Sequence, residues 1–149
     1  MFHPGDLDYI HSVERISQMS NVISINGGVQ LDLMGQENVE SAGTRQLSGI
    51  GGQMDFLEGA YRSKSGKGFI CINSSHLTKE GERKSNIVAT ISAGSTISAP
   101  RTQIQHVATE YGVASLSGKT LRERAESMAS IAHPNFREEL MEYARENFR

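Results

Sequence analysis

Apolar and polar residues alternate in Val22-Ile23-Ser24-Ile25 and again in Val29-Gln30-Leu31-Asp32-Leu33. A period of two sends successive side chains to opposite faces of a strand, so residues 21–33 predict two half-buried strands. Gly27-Gly28 between them predicts a turn or a bulge. Upstream, Ile10, Val13 and Ile16 stand three apart on one helical face and predict a short helix over 8–19. Further strands are predicted at 68–73, 87–91 and 104–110, and a helix at 55–62. Thr78-Lys79-Glu80-Gly81-Glu82-Arg83-Lys84 is a charged connection and predicts a solvated hairpin loop.

The last third is the most explicit. Thr120 and Glu123 have the spacing of a capping box, in which hydroxyl and carboxylate each satisfy an orphan amide. Leu121, Ala125, Met128 and Ile131 then share one helical face, and Pro134 stops the run. Asn135 and Glu138 predict a similar cap for a second helix, with Phe136, Leu140, Tyr143, Ala144 and Phe148 as its apolar stripe. Leu121, Met128, Ile131, Phe136 and Leu140 are therefore expected in the core. Strands with intervening and terminal helices give an α/β or α+β class, helices packed on a sheet.

The chain has 149 residues, 37% apolar and 21% charged, with a formal net charge of −2. That length fits one domain over 1–149. The charge balance gives no reason to expect nucleic acid or an anionic membrane as partner. No apolar run is long enough to span a bilayer, and the first residues have no signal-peptide pattern. Cys71 is the single cysteine, so no internal disulfide forms, and a reducing cytoplasm is the expected compartment. Within Phe69-Ile70-Cys71-Ile72 it reads as a small buried strand residue. His3, His11, His76 and His106 show no ligand spacing with one another or with Cys71, so no metal is expected.

Four segments, in order, carry a family resemblance. They are Asp32-Leu33 with Gly35-Gln36; Ser48-Gly49-Ile50-Gly51-Gly52-Gln53-Met54-Asp55-Phe56; Pro100-Arg101-Thr102 with Thr109-Glu110-Tyr111-Gly112; and Leu121-Arg122-Glu123-Arg124-Ala125 leading to Ile131-Ala132-His133-Pro134-Asn135-Phe136-Arg137-Glu138-Glu139-Leu140. Together they resemble the C-terminal domain of the acetyl-CoA hydrolase/transferase family, which includes 4-hydroxybutyrate CoA-transferase. The resemblance implies an open α/β sheet flanked by helices, one half of a two-domain CoA-transferase-like (NagB/RpiA-like) fold with the active site between the halves. It implies transfer of coenzyme A between small carboxylic acids, or hydrolysis of acyl-CoA, through a glutamyl-CoA thioester. The family's nucleophilic glutamate lies upstream of the matching region, and nothing here resembles that segment. The expected partners are therefore acyl-CoA, a small carboxylate and a missing N-terminal catalytic domain, in a homo-oligomer. The chain alone is expected to be inactive.

The resemblance makes Gly52 a catalytic backbone donor to the thioester oxygen. Chemistry agrees: an amide must approach that oxygen closely, and a side chain would obstruct it. By itself the run Gly49-Ile50-Gly51-Gly52 reads as a glycine turn into a helix. It also lacks the βαβ context and downstream acid of a dinucleotide loop. Glu110 is implied to line the active site, orienting the nucleophile or managing a proton; alone it reads as a strand-end carboxylate. Gly49, Gly51, Gln53 and Arg101 are the remaining candidates for substrate or CoA contact. Asp55 reads equally as a helix-start residue. Lys64, Lys67, Arg83 and Lys84 could meet CoA phosphates but read first as solvated charges. His133 reads as a helix-junction residue. Departures from the family pattern are His11 for an asparagine, Asn86 for an arginine, Ala89 for a proline and Gln103 for an aspartate. They imply an altered substrate. A noncatalytic module that binds CoA or a partner is the competing reading.

Overall fold

The computed structural model describes residues 4–148, so Met1 to His3 and Arg149 lie outside the described residues. Four helical and strand segments open the chain: α1 (Leu7–Ile10), α2 (Val13–Gln18), β1 (Ile23–Gly27) and β2 (Gln30–Asp32). Short strands β3 (Glu37–Asn38), β4 (Ser41–Ala42) and β5 (Arg45–Gln46) lead to α3 (Gln53–Arg62). Then come β6 (Lys67–Cys71), β7 (Ser75–Leu77), β8 (Arg83–Ser85), β9 (Ile87–Val88), β10 (His106–Thr109) and β11 (Gly112–Ser115). The chain closes with α4 (Leu121–Ser130) and α5 (Pro134–Asn147).

The main sheet has strand order β1-β6-β10-β11. Its first three strands are parallel, and β10 pairs antiparallel with β11. A second sheet, β3-β2-β9, stands beside it. The chain changes sheet between β1 and β2, at Gly27-Gly28, so the glycine pair is a switch between sheets rather than a turn within one. On one face of the main sheet, α3 packs against β1 and β6, and α4 against β11 and α5. This face holds the core: Leu57, Ile70, Val107, Ala114, Leu116, Ala125 and Met128 are all buried. Burying a side chain of this size is worth about 1.5–3 kcal/mol.

The opposite face is bare among the described residues. Ile23 and Ile25 are 53% and 68% exposed, while Ser24 between them is 5% exposed. The alternation in β1 is present, but the serine faces α3 and the isoleucines face away. The same phase holds in β6. Ile70 and Ile72 turn inward, so Cys71 is exposed instead of buried. Val113 of β11 is 58% exposed.

Other expectations shift by local chemistry. The helix over 8–19 breaks in two, because the Ser12 hydroxyl accepts from the Arg15 amide at 3.4 Å and starts α2 afresh. Of its apolar residues only Ile16 is buried, against Gly59, while Ile10 is 46% exposed. The Thr120–Glu123 capping box forms as predicted. The cap of α5 is His133, not Asn135: its ring accepts from the Asn135 amide at 3.3 Å, and Pro134 begins the helix. Met128, Ile131 and Leu140 are buried and Phe136 is partly so, but Leu121, in the exposed first turn of α4, is 39% exposed. Residues 78–82 form the β7–β8 hairpin connection, as predicted, while Arg83 and Lys84 extend it into β8, paired with Leu77 and His76.

Arg124 ties the second sheet to the helices. Its Nε, Nη1 and Nη2 donate to the carbonyls of Met34, Leu116 and Arg101, each at 2.8 Å. Gly35 passes beside the guanidinium at φ +81°, where a Cβ would lie 2.6 Å from Nη2. Asp32 closes this turn, accepting from the Gln36 amide at 2.8 Å and its side chain at 2.7 Å. The Asp32-Leu33 and Gly35-Gln36 segment and the Arg124 segment are thus held together by scaffold bonds.

Candidate active site

In open α/β sheets, ligands settle in the crevice outside the carboxyl ends of parallel strands. Here β1, β6 and β10 end side by side, and Gly28, Cys71, Ile72, Asn73, Thr109 and Glu110 line a cleft of about 450 Å³ beyond them. Glu110 sits in the β10–β11 turn. Its carboxylate accepts from the Ser74 amide at 2.9 Å and the Ser74 hydroxyl at 2.6 Å. Desolvation opposes its charge, but the Ser74 bonds and the nearby His133 outweigh that and hold the carboxyl below the ordinary range. Glu110 is therefore ionised at neutral pH and fixed in direction, suited to orienting a partner or accepting a proton rather than donating one.

The helix α3 runs back to β6 through a short connection after Arg62, so its N-terminus stands at this same carboxyl edge. Gly49 and Gly51 are exposed, and Gly51 turns at φ +59°. Gly52 is the N-cap, with no side chain to cap the helix. An uncapped helix start presents partial positive charge and free amides to an anion. The His11 ring lies against Gly52, so that any side chain there would collide with it. His11 Nδ1 is 3.8 Å from Asp55 Oδ2, and the ring meets Phe56 edge-on at 5.2 Å.

Gln53 turns inward from this loop. Its Nε2 donates to Glu37 Oε2. Glu37 is 0% exposed, and its other oxygen, Oε1, is buried without a partner. That oxygen faces Gly28, where a Cβ would lie 2.8 Å from it. Burial, opposed only by the Gln53 bond, pushes the Glu37 carboxyl up to about 8. The structure thus connects Gly52 through Gln53 and Glu37 to Gly28, which lines the cleft of Glu110. Glu37 and Ser74 carry no sequence signal: one sits in a two-residue strand, the other in a serine pair.

Arg101 is not brought to this edge. It lines a separate cleft with Tyr61, Lys119 and Thr120, and its Nη1 donates to Met34 Sδ at 3.7 Å. His133 is the junction residue it was read as, edge-on to Tyr111 at 5.7 Å. Lys84 pairs with Glu82 at 3.6 Å on the surface hairpin. Asn86 bonds His76 Nδ1 at 2.6 Å and lines a cleft of about 440 Å³ with Gly28 and Asn38. Among the described residues no three His, Cys, Asp or Glu side chains are grouped to hold a metal, and no helix is long and apolar enough to cross a membrane.

Comparison with known proteins gives the site a context. The family model described as the acetyl-CoA hydrolase/transferase C-terminal domain matches residues 1–144. The chain belongs to this family. It is 45% identical to the 4-hydroxybutyrate coenzyme A transferase of Clostridium kluyveri, over 99% of this chain and 34% of that protein. It is 42% identical to the butyryl-CoA:acetate CoA-transferase of Anaerostipes caccae, over 93% of this chain and 31% of that protein. The structure of RipA from Yersinia pestis superposes with a TM-score of 0.82 at 37% identity, covering 93% of this chain and 30% of that one. The chain thus spans about a third of the length of the curated relatives it matches. The open α/β domain flanked by helices is that of the CoA-transferase C-terminal region.

Proposed function

We propose that this chain is the C-terminal half of a CoA-transferase that moves CoA between small carboxylic acids through a glutamyl-CoA thioester. The reading is supported by two separate features on the carboxyl side of the sheet, an uncapped glycine helix start and an ionised, oriented glutamate, in a chain whose named relatives are CoA-transferases. In this reading a glutamate from outside the chain attacks the thioester carbonyl carbon and expels CoA thiolate, leaving a mixed anhydride. The thiolate then attacks the glutamyl carbonyl and releases the first acid. The acceptor carboxylate takes over CoA by the reverse pair of steps.

Each attack builds charge on a carbonyl oxygen. The Gly52 amide donates to that oxygen, where it stabilises the transition state more than the ground state. Glu110 orients the nucleophile or accepts a proton. Gly49, Gly51 and Gln53 shape the loop that receives the acyl end. The CoA contact proposed for Arg101 would be made in its separate cleft, away from Gly52. No metal takes part, and the compartment is the cytoplasm.

The bare sheet face supports a covering domain. Ile23 and Ile25 on β1 and Val113 on β11, at the two edges of the sheet, leave large apolar side chains exposed on this face, as interaction surfaces do. Two thirds of each named relative lies outside the matched part and is of a size to cover it. A homo-oligomer of the completed protein belongs to the same reading. The test joins the chain to such an upstream half and follows CoA transfer. The isolated chain should be inactive. In the joined enzyme, Gly52→Val should lower turnover about 100- to 1000-fold with a much smaller change in CoA affinity. Glu110→Gln should slow turnover while lowering the melting temperature only slightly, through the weakened Ser74 bonds. Near-parental turnover in both variants would overturn the roles, and covalent labelling of the isolated chain by acyl-CoA would overturn the external nucleophile.

A further inference from the structure

We propose that Glu37 is a positioning residue for this site: its buried carboxyl holds the Gln53 side chain and so fixes the first turn of α3, on which the Gly52 amide stands. This rests on the reading of Gly52 given above, but the contact can be tested without it. Gln53 is the first residue of α3 and is 7% exposed, an unusual place for a long polar side chain. It is drawn inward by a single partner, Oε2 of Glu37. Glu37 itself is anchored on both sides of its backbone. Its amide donates to the Ala99 carbonyl at 3.0 Å, and its carbonyl accepts from the Ser98 amide at 2.7 Å. The carboxyl is thus a fixed post, and the α3 start is what it holds.

The orphan oxygen sets the protonation state that the post requires. Oε1 faces Gly28, with Ile70 and Leu31 methyl groups around the same spot. That oxygen is out of contact with solvent and has no protein donor among the described residues, so the neutral acid is the form that fits, in agreement with a carboxyl pushed up to about 8. Among the described residues no cation pairs with it. Asp32 on β2 is bonded to Gln36, Asp55 and His11 face each other at the α3 start, and the guanidinium of Arg124 is taken by three carbonyls. Arg101, which follows the strand-like segment pairing with Glu37, turns to Met34. Ionisation above neutral pH therefore turns the Gln53 amide further toward the charge, and the first turn of α3 moves with it.

The test is a pH titration from 5 to 9.5 of the 149-residue chain carrying His11→Asn, which removes the imidazole lying against Gly52, followed by carbon NMR of the Glu37 carboxyl, the Gln53 side-chain carbonyl and Gly52 Cα; the Glu37 variants are made in the same background. All three signals should move together with one midpoint well above that of an ordinary carboxylate. In Glu37→Gln, which keeps a neutral hydrogen-bonding group of the same shape, the chain should stay folded and the Gly52 and Gln53 signals should be flat. In Glu37→Leu, Gly52 Cα should be displaced at every pH. A Gly52 signal that stays still while Glu37 titrates, or that titrates unchanged in Glu37→Gln, would overturn the proposal. If the signals behave as described but Gly52→Val leaves the joined enzyme active, the positioning contact stands and the oxyanion role falls.

Discussion

Arg124 gives each of its three nitrogens a backbone carbonyl, whereas Glu37 gives one carboxyl oxygen a partner and leaves the other facing Gly28. Both side chains are taken out of water, at 8% and 0% exposed. The arginine keeps its charge, because the carbonyls replace its hydration. The glutamate has no such replacement and fits only as the neutral acid. A buried ionisable group that is fully bonded acts as a fixed joint, while one that is half bonded stays responsive to pH. The joint sits in the scaffold and the responsive group sits behind the cleft.

The largest expected effect lies on the fixed side. Arg124→Met removes the guanidinium and strands three carbonyls, so thermal or denaturant unfolding should show a loss of about 3 kcal/mol or more. Arg124→Lys keeps the charge but not the fork, and should fall between parent and methionine variant. Equal stability of all three would erase the distinction drawn between the two residues.

Next comes the pH dependence of stability. Glu37 binds its proton more tightly folded, at about 8, than unfolded, near 4.5. Its contribution is therefore fully present below about 4.5, falls as pH rises, and is lost above about 8. The slope from one such group is at most about 1.4 kcal/mol per pH unit. Asp32, also raised by burial, adds the same sign at lower pH, so the informative quantity is the parent minus Glu37→Gln. That difference should favour the parent least at pH 9. A difference independent of pH between 5 and 9 would place Glu37 among ordinary buried hydrogen-bonding residues.

The smallest effect is expected at Gly28→Ala. The added methyl would press on Glu37 Oε1 and, at 3.2 Å, on Ile70. Crowding of this kind costs roughly 1–3 kcal/mol. It should also shift the Glu37 titration, because the orphan oxygen must turn from its present place. A stability loss with an unchanged Glu37 midpoint would show that Gly28 packs against the core without shaping the carboxyl.

Much of the fold could be read from the sequence because its signals are local. The Thr120–Glu123 box, the charged 78–84 hairpin and the stripe of α5 each need only a few neighbouring residues. The direction of β1 could not be read, since alternation tells which residues share a face and not which face is covered. For that reason Cys71 reads as buried in the sequence yet lies, with Ile23 and Ile25, on the uncovered face. The glycine run and Glu110 were legible only through the family resemblance. Glu37 was not legible at all. Its meaning depends on Gln53, which is sixteen positions away, and on the close approach that the missing side chain of Gly28 allows, neither of which leaves a periodic mark.

Cys71, the single thiol of the chain, stands exposed at the end of β6 on the uncovered side of the sheet, in the lining of the Glu110 cleft. It is therefore a built-in reporter. One maleimide dye can be attached at one known position without mutating anything, and its rate of attachment measures how open that surface is. Docking of a second domain should slow the labelling, so the assembly of the two halves can be followed in real time by a colour change rather than inferred from turnover.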